Sequence, residues 1–188
     1  MIKGSETTTT NTYASLHTNA SIALDEAIQV EDGQFFKTMT SIIFSAFTIE
    51  AYVNHILKDK SENWVKVEKY SALKKVEELY SILEIKLDKS KRPIQSIKNM
   101  FDFRNMLAHG KTTTKIKTFK VKKNITDISS KDLLGHAESE WEDLNTLKNA
   151  KIFFEDMEKV IRLLHKRIEP KMDPFIIRSS SSGDAQVL

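Results

Sequence analysis

The feature that most constrains the fold is an uninterrupted stretch, Gln34 to Lys58, that contains neither glycine nor proline. Apolar residues recur through this stretch at helical spacing. Its apolar side is formed by Phe36, Ile43, Phe47, Val53, Ile56 and Leu57. The whole chain has only 5 Gly and 3 Pro in 188 residues. Because the residues that interrupt helices are so few, the composition favours a few long helices over many short strands.

The same periodicity predicts four further helices. They are expected over Thr12–Val30, Ser71–Ile85, Pro93–His109 and Leu144–Ile168, with a short turn around Trp64 and Val67. Residues 111–130 show no helical stripe and indicate a loop or a short, irregular hairpin. The sequence therefore predicts an all-α, up-and-down helical bundle of about five helices with a Lys-rich loop or hairpin insertion. The bundle occupies residues 12–169, between a flexible leader, 1–11, and a flexible tail, 170–188.

The composition excludes several classes of function. The chain has no cysteine, which excludes disulfides, thiolate metal sites and a cysteine nucleophile. It has no metal-binding histidine spacing and no Gly-rich phosphate loop, so we expect neither a metal nor a cofactor. The polar N-terminus lacks the apolar core of a signal peptide, and no apolar run approaches the ~20 residues that span a bilayer. We therefore expect a cytoplasmic protein without a membrane partner.

The helix that ends at His109 carries charge on both of its sides. At about 100° per residue, its apolar side holds Ile97, Met100, Phe103 and Leu107. Arg104 falls in the middle of that side, whereas Asp102, Asn105 and His109 fall together on the opposite side. A buried arginine needs a partner, because an unpaired buried charge is very costly. Glu50, on the apolar side of the preceding long helix, is the acid that stands out, and we predict a Glu50–Arg104 contact. The alternative is that the pair only fixes the register of two core helices.

His109 lies at a helix C-terminus, where the helix dipole favours the protonated imidazole. Asn105, one turn earlier, is positioned to hydrogen-bond to the ring and orient it. A histidine held in this way is expected to serve as a general acid or base. The alternative is a histidine that only caps its helix before Gly110.

Taken together, Arg104-Asn105-x-x-x-His109 resembles the motif of the HEPN superfamily (higher eukaryotes and prokaryotes nucleotide-binding domains). That motif is an arginine, a polar residue, and a histidine four to six positions after the arginine. The ending Leu107-Ala108-His109-Gly110 looks like many prokaryotic members, and the segment Ser45–Asn54 is similar to their acid-bearing helix. The resemblance spans about residues 12–169.

The resemblance implies a helical bundle that dimerises through the face carrying the motif. Active members are metal-independent endoribonucleases of toxin–antitoxin, phage-defence or stress systems, which implies RNA as substrate and an antitoxin or defence-system protein as a possible partner. By position, His109 would be the acid/base residue, Arg104 the phosphate-binding residue and Asn105 the orienting residue, with Glu50 and Asp102 in support. Other members are catalytically inert modules for dimerisation and for binding a partner or nucleic acid, and that alternative stays open.

The residue types suit cleavage of RNA by its own 2′-OH, which gives a 2′,3′-cyclic phosphate and a 5′-OH. However, Arg104 and His109 are five positions apart and diverge by about 140° on a straight helix. One straight helix does not easily aim both at one phosphate. Either the helix opens near its end, Arg104 snorkels around the helix, or a two-fold interface brings two motifs into one cleft. We favour the two-fold interface, with help from a loosened helix end, and predict a homodimer in which two His109 side chains face a shared groove.

A run of lysines follows the motif directly. These lysines, with no acid among them, are Lys111, Lys115, Lys117, Lys120, Lys122 and Lys123. Beside the predicted cleft they would attract a phosphate backbone, so we predict that they bind RNA. The alternative is a solvated surface loop.

Overall fold

The computed structural model describes residues 2–110, 139–176 and 179–187, and its residues 12–110 and 139–168 form an all-α helical bundle. Seven helices lie in these ranges. They are α1 (Thr12–Gln29), α2 (Gln34–Lys60), α3 (Trp64–Val67), α4 (Ala72–Ile82), α5 (Ile94–His109), α6 (Glu140–Leu144) and α7 (Leu147–Ile168). The predicted all-α bundle is confirmed, whereas the predicted loop or hairpin over residues 111–130 lies outside the described residues. The five predicted helices correspond to α1, α2, α4, α5 and α7, and the predicted turn at Trp64 is α3.

Helix α2 is the centre of the bundle. Its 27 residues extend for about 40 Å at ~1.5 Å per residue, and it packs against α1, α4, α5 and α7. Fully buried side chains of several helices close the core around it. These include Ile42, Ile49, Tyr52, Val53 and Leu57 of α2, Ile97, Met100 and Phe103 of α5, and Met157, Ile161 and Leu164 of α7. None of the helices in the described ranges is long and apolar enough to cross a membrane.

The buried side of α2 differs from the predicted one. Phe36 and Phe47 were placed on the apolar side by the sequence pattern, yet their side chains are 66% and 39% exposed. Small hydroxyl residues are buried instead. Ser41 Oγ donates to the carbonyl of Ala20 in α1 at 3.0 Å, and Thr48 Oγ1 donates to the carbonyl of Phe44 at 2.7 Å. Backbone carbonyls thus satisfy the hydroxyls of Ser41 and Thr48, which allows these polar residues to be buried. The buried hydroxyls of Thr38 and Ser45 have no hydrogen-bond partner in the described ranges.

The last predicted helix is divided in two. Ser139 and Glu142 form a capping box that begins α6, and Thr146 begins α7 by accepting a hydrogen bond from the backbone N–H of Asn149 at 3.1 Å. The predicted start at Leu144 was therefore wrong by three residues, because two N-capping signals follow each other closely. The acidic residues around Glu142 begin α6 and not the final helix.

The two chain ends pair with each other in the structure. The backbones of β1 (Ile2–Thr10) and β2 (Ser179–Val187) pair as an antiparallel two-stranded sheet, from Ile2 opposite Val187 to Thr10 opposite Ser179. Neither segment shows the apolar alternation that predicts a strand. At the start of the predicted tail, the ring of Phe175 stacks on His17 of α1 with centroids 3.8 Å apart.

Candidate functional site

The motif lies at the C-terminal end of α5, as predicted. Gly110 adopts the left-handed conformation with φ 36° and ψ 46°, and its N–H donates to the carbonyl of Met106 at 3.2 Å. A residue with a Cβ is strained at positive φ, so glycine suits the position that ends this helix. The helix end therefore fixes the orientation of the last turn, which carries His109.

The predicted contact between Glu50 and Arg104 is confirmed. Nη2 of Arg104 donates to Oε2 of Glu50 at 2.7 Å and so joins α5 to α2. The two side chains are 21% and 24% exposed, so the pair is only partly removed from water. At this distance, it is a charge-assisted hydrogen bond that holds two neighbouring helices in register.

Aromatic rings flank the Arg104 guanidinium. Its central carbon lies 5.9 Å from the ring centroid of Phe47 on α2 and 5.8 Å from that of Phe101 on α5. Nε of Arg104 is buried and has no hydrogen-bond acceptor within the described ranges. Glu50 thus accepts a hydrogen bond from one edge of the guanidinium, and Nε remains a donor without an acceptor among the described residues. Sequence reasoning missed the two phenylalanines, although Phe101 is three positions before Arg104 and Phe47 is three before Glu50.

The other motif residues face away from this pair. Asn105 and His109 are exposed, as the helical wheel predicts. No hydrogen bond joins Asn105 to His109 among the contacts of the described residues, so the expected orienting contact is not formed here. Asp102 is engaged with Lys98, one turn earlier, whose Nζ lies 2.7 Å from its carboxylate. The structure therefore brings Arg104 to Glu50 but does not bring Asp102 or Asn105 to either of them.

A groove of about 560 Å³ runs between α5 and α6. Asp102 and Asn105 line one wall, and Glu140 and Asp143 line the other. Sequence reasoning missed this groove because it forms between elements about 40 residues apart. Within the described ranges, no cluster of three or more possible ligands suits a metal ion.

The six lysines predicted to bind RNA, Lys111 to Lys123, lie outside the described residues. Comparison of the chain with models of known protein families, with curated proteins and with solved structures gave no match. The resemblance to HEPN domains therefore depends on the residues of the motif and on their order in the helices.

Proposed function

We propose that the protein is a metal-independent endoribonuclease whose active site forms at a homodimer interface around Arg104, Asn105 and His109. The observation that carries the proposal is the contrast along the last turns of α5. Glu50 and two aromatic rings hold Arg104 in one fixed, half-buried position, while His109 is exposed at the helix end. A fixed cation and an accessible imidazole are the two groups that cleavage by a 2′-OH requires.

The exposed aromatic residues of α2 support a homodimer. Phe36 and Phe47 are eleven positions apart, which places them within about 20° on one side of the helix. Both are exposed, and Phe47 lies over the guanidinium of Arg104. An exposed aromatic stripe of this kind is typical of a protein–protein interface. A second copy covering the stripe would place a second motif beside the first and so resolve the divergence of Arg104 and His109.

In the proposed reaction, the 2′-oxygen forms a bond to the adjacent phosphorus and the bond to the 5′-oxygen breaks. His109 of one subunit accepts the 2′ proton, and His109 of its partner donates a proton to the departing 5′-oxygen. Arg104 stabilises the negative charge that develops on the phosphorane oxygens, using the N–H groups that Glu50 leaves free. The products are a 2′,3′-cyclic phosphate and a 5′-OH.

The test is incubation of the purified chain with total RNA in EDTA, with end-group analysis of the products. We expect cleavage by the wild type and its loss in His109→Ala and in Arg104→Ala. Matched controls are His55→Ala and Arg167→Ala, which change an exposed histidine and an exposed arginine on other helices. Cleavage that survives His109→Ala, or that stops in EDTA and returns with a divalent metal, contradicts the proposal.

The dimer is tested by sedimentation equilibrium of Phe36→Asp, with Val65→Asp as control. Val65 is 70% exposed on α3, so a charge there should leave the association unchanged. We expect Phe36→Asp to be monomeric and inactive. A wild type that is monomeric at every concentration contradicts the interface.

A second candidate is an inert helical module that dimerises and binds a partner protein or nucleic acid. It is favoured by the acids that line the groove beside Asn105, because carboxylates repel the phosphates of a bound RNA. No cleavage of any RNA by a protein that still dimerises would select this candidate.

A further inference from the structure

A second polar cavity lies away from the motif, where α1 begins and where α2 and α7 end. Its volume is about 230 Å³, roughly the share of eight water molecules at ~30 Å³ each. Its walls include His55, Ile56, His165, Ile168, Glu169 and Asp173. The cavity thus combines aliphatic walls with a few polar groups, which is the usual character of a small-molecule site.

His165 supplies the unusual feature of this cavity. The residue is only 6% exposed, and its Nδ1 lies 3.3 Å from the hydroxyl of the fully buried Tyr52. Its Nε2 is buried and has no hydrogen-bond partner within the described ranges. A buried polar atom without a partner is costly, and such atoms often mark the place of a ligand or an ordered water. Burial lowers the pKa of His165, so the imidazole is neutral at physiological pH.

The charges around the cavity favour a cation. Neither lysine nor arginine belongs to the lining, which contains two carboxylates. Asp173 is already paired with Arg162 at 3.3 Å, whereas Glu169 has no ion pair in the described part of the chain. Ile56 and Ile168 lie in the last turns of α2 and α7, and the C-terminal ends of helices attract positive charge. The rings of Tyr13 and His55, with centroids 5.6 Å apart, add aromatic surface beside the acid.

We propose that this cavity binds a small aliphatic amine, whose ammonium group faces Glu169 and whose second polar group meets Nε2 of His165. The site is separate from the proposed ribonuclease site, and the observations that support it do not rest on the ribonuclease proposal. Its size suits a ligand of the length of a short diamine or an amino alcohol. A carboxylate or phosphate ligand is disfavoured by Glu169 and by the two helix ends.

The test is calorimetric titration of the full chain with putrescine and with ethanolamine, together with NMR of the histidine side chains. Sodium acetate and sodium phosphate serve as anionic probes. We expect saturable binding of the amines and a shift of the His165 ring signals. Glu169→Gln should weaken binding about tenfold, the value of one charge-assisted hydrogen bond. Glu155→Gln, which changes a 60% exposed carboxylate on α7, should leave the affinity unchanged.

A second variant, His165→Phe, should also lose binding, provided that its circular dichroism is that of the wild type. If this variant does not fold, the result for Glu169→Gln decides, because that side chain is exposed. The proposal is overturned if neither amine binds at millimolar concentration, if Glu169→Gln binds as tightly as the wild type, or if acetate or phosphate binds in their place.

Discussion

Removal of the Glu50 carboxylate provides the sharpest test of how the motif is held. In Glu50→Ala, Arg104 keeps its half-buried position between Phe47 and Phe101 but loses its only ion pair in the described ranges. Breaking a fully buried pair costs about 3–5 kcal/mol, whereas an exposed pair contributes up to about 1 kcal/mol. Because both side chains retain between a fifth and a quarter of their exposure, we expect a loss of about 2 kcal/mol in the free energy of unfolding.

This loss is measured by urea unfolding and by Tm, which should fall by about 4–8 °C for a chain of this length. A double-mutant cycle with Arg104→Met separates the pair from the packing of each side chain. We expect a coupling energy of about 1–2 kcal/mol between positions 50 and 104. The exposed pair of Lys98 and Asp102 is the matched control, and its cycle should give less than about 0.5 kcal/mol. A Glu50–Arg104 coupling no larger than that of the control would refute this account of the site.

Three further predictions concern stability and binding. Burial raises the pKa of Asp156, but the hydrogen bonds from Arg92 and Ser96 and the nearby positive charges outweigh it and hold the pKa below its ordinary 3.8. The stability that Asp156 contributes is therefore complete above pH 3.8 and is lost as the pH falls through the lower folded pKa, so Asp156→Asn should flatten the acid limb of a stability–pH curve. Gly110→Ala should destabilise the chain by about 1 kcal/mol in urea unfolding because its φ is positive; an unchanged midpoint would contradict the left-handed helix end. Reversal of the lysine charges in segment 111–123 should weaken RNA binding and reduce its dependence on salt in filter-binding titrations, whereas an unchanged salt slope would show that the segment is not a phosphate contact.

Much of the fold could be predicted because helical periodicity is local. The start of α1 at Thr12 and the end of α5 before Gly110 agree with the sequence pattern, since periodicity and a glycine stop act over a few residues. The error at the start of α7 is also local, because capping residues at Ser139 and Thr146 compete with the continuous pattern.

The candidate site could be predicted only in part. The contact between Glu50 and Arg104 could be predicted because a buried charge needs a partner of opposite sign. One apolar helix face carries a single acid and another carries a single cation, so the two faces are expected to pack together. The groove beside Asn105 and the cavity around His165 could not be predicted in that way. Each lies between elements that are distant in sequence. A local pattern of residue types does not show which distant elements pack together.

Helix α2 gives the molecule a physical link between its two candidate sites. Glu50 and Tyr52 are two positions apart and face different sides, so one holds Arg104 while the other contacts His165 behind the second cavity. A helix turns as a unit, so any rotation that improves one of these contacts alters the geometry of the other. An occupant of either site that prefers one rotation of α2 must then change the affinity of the other site by the same factor in return.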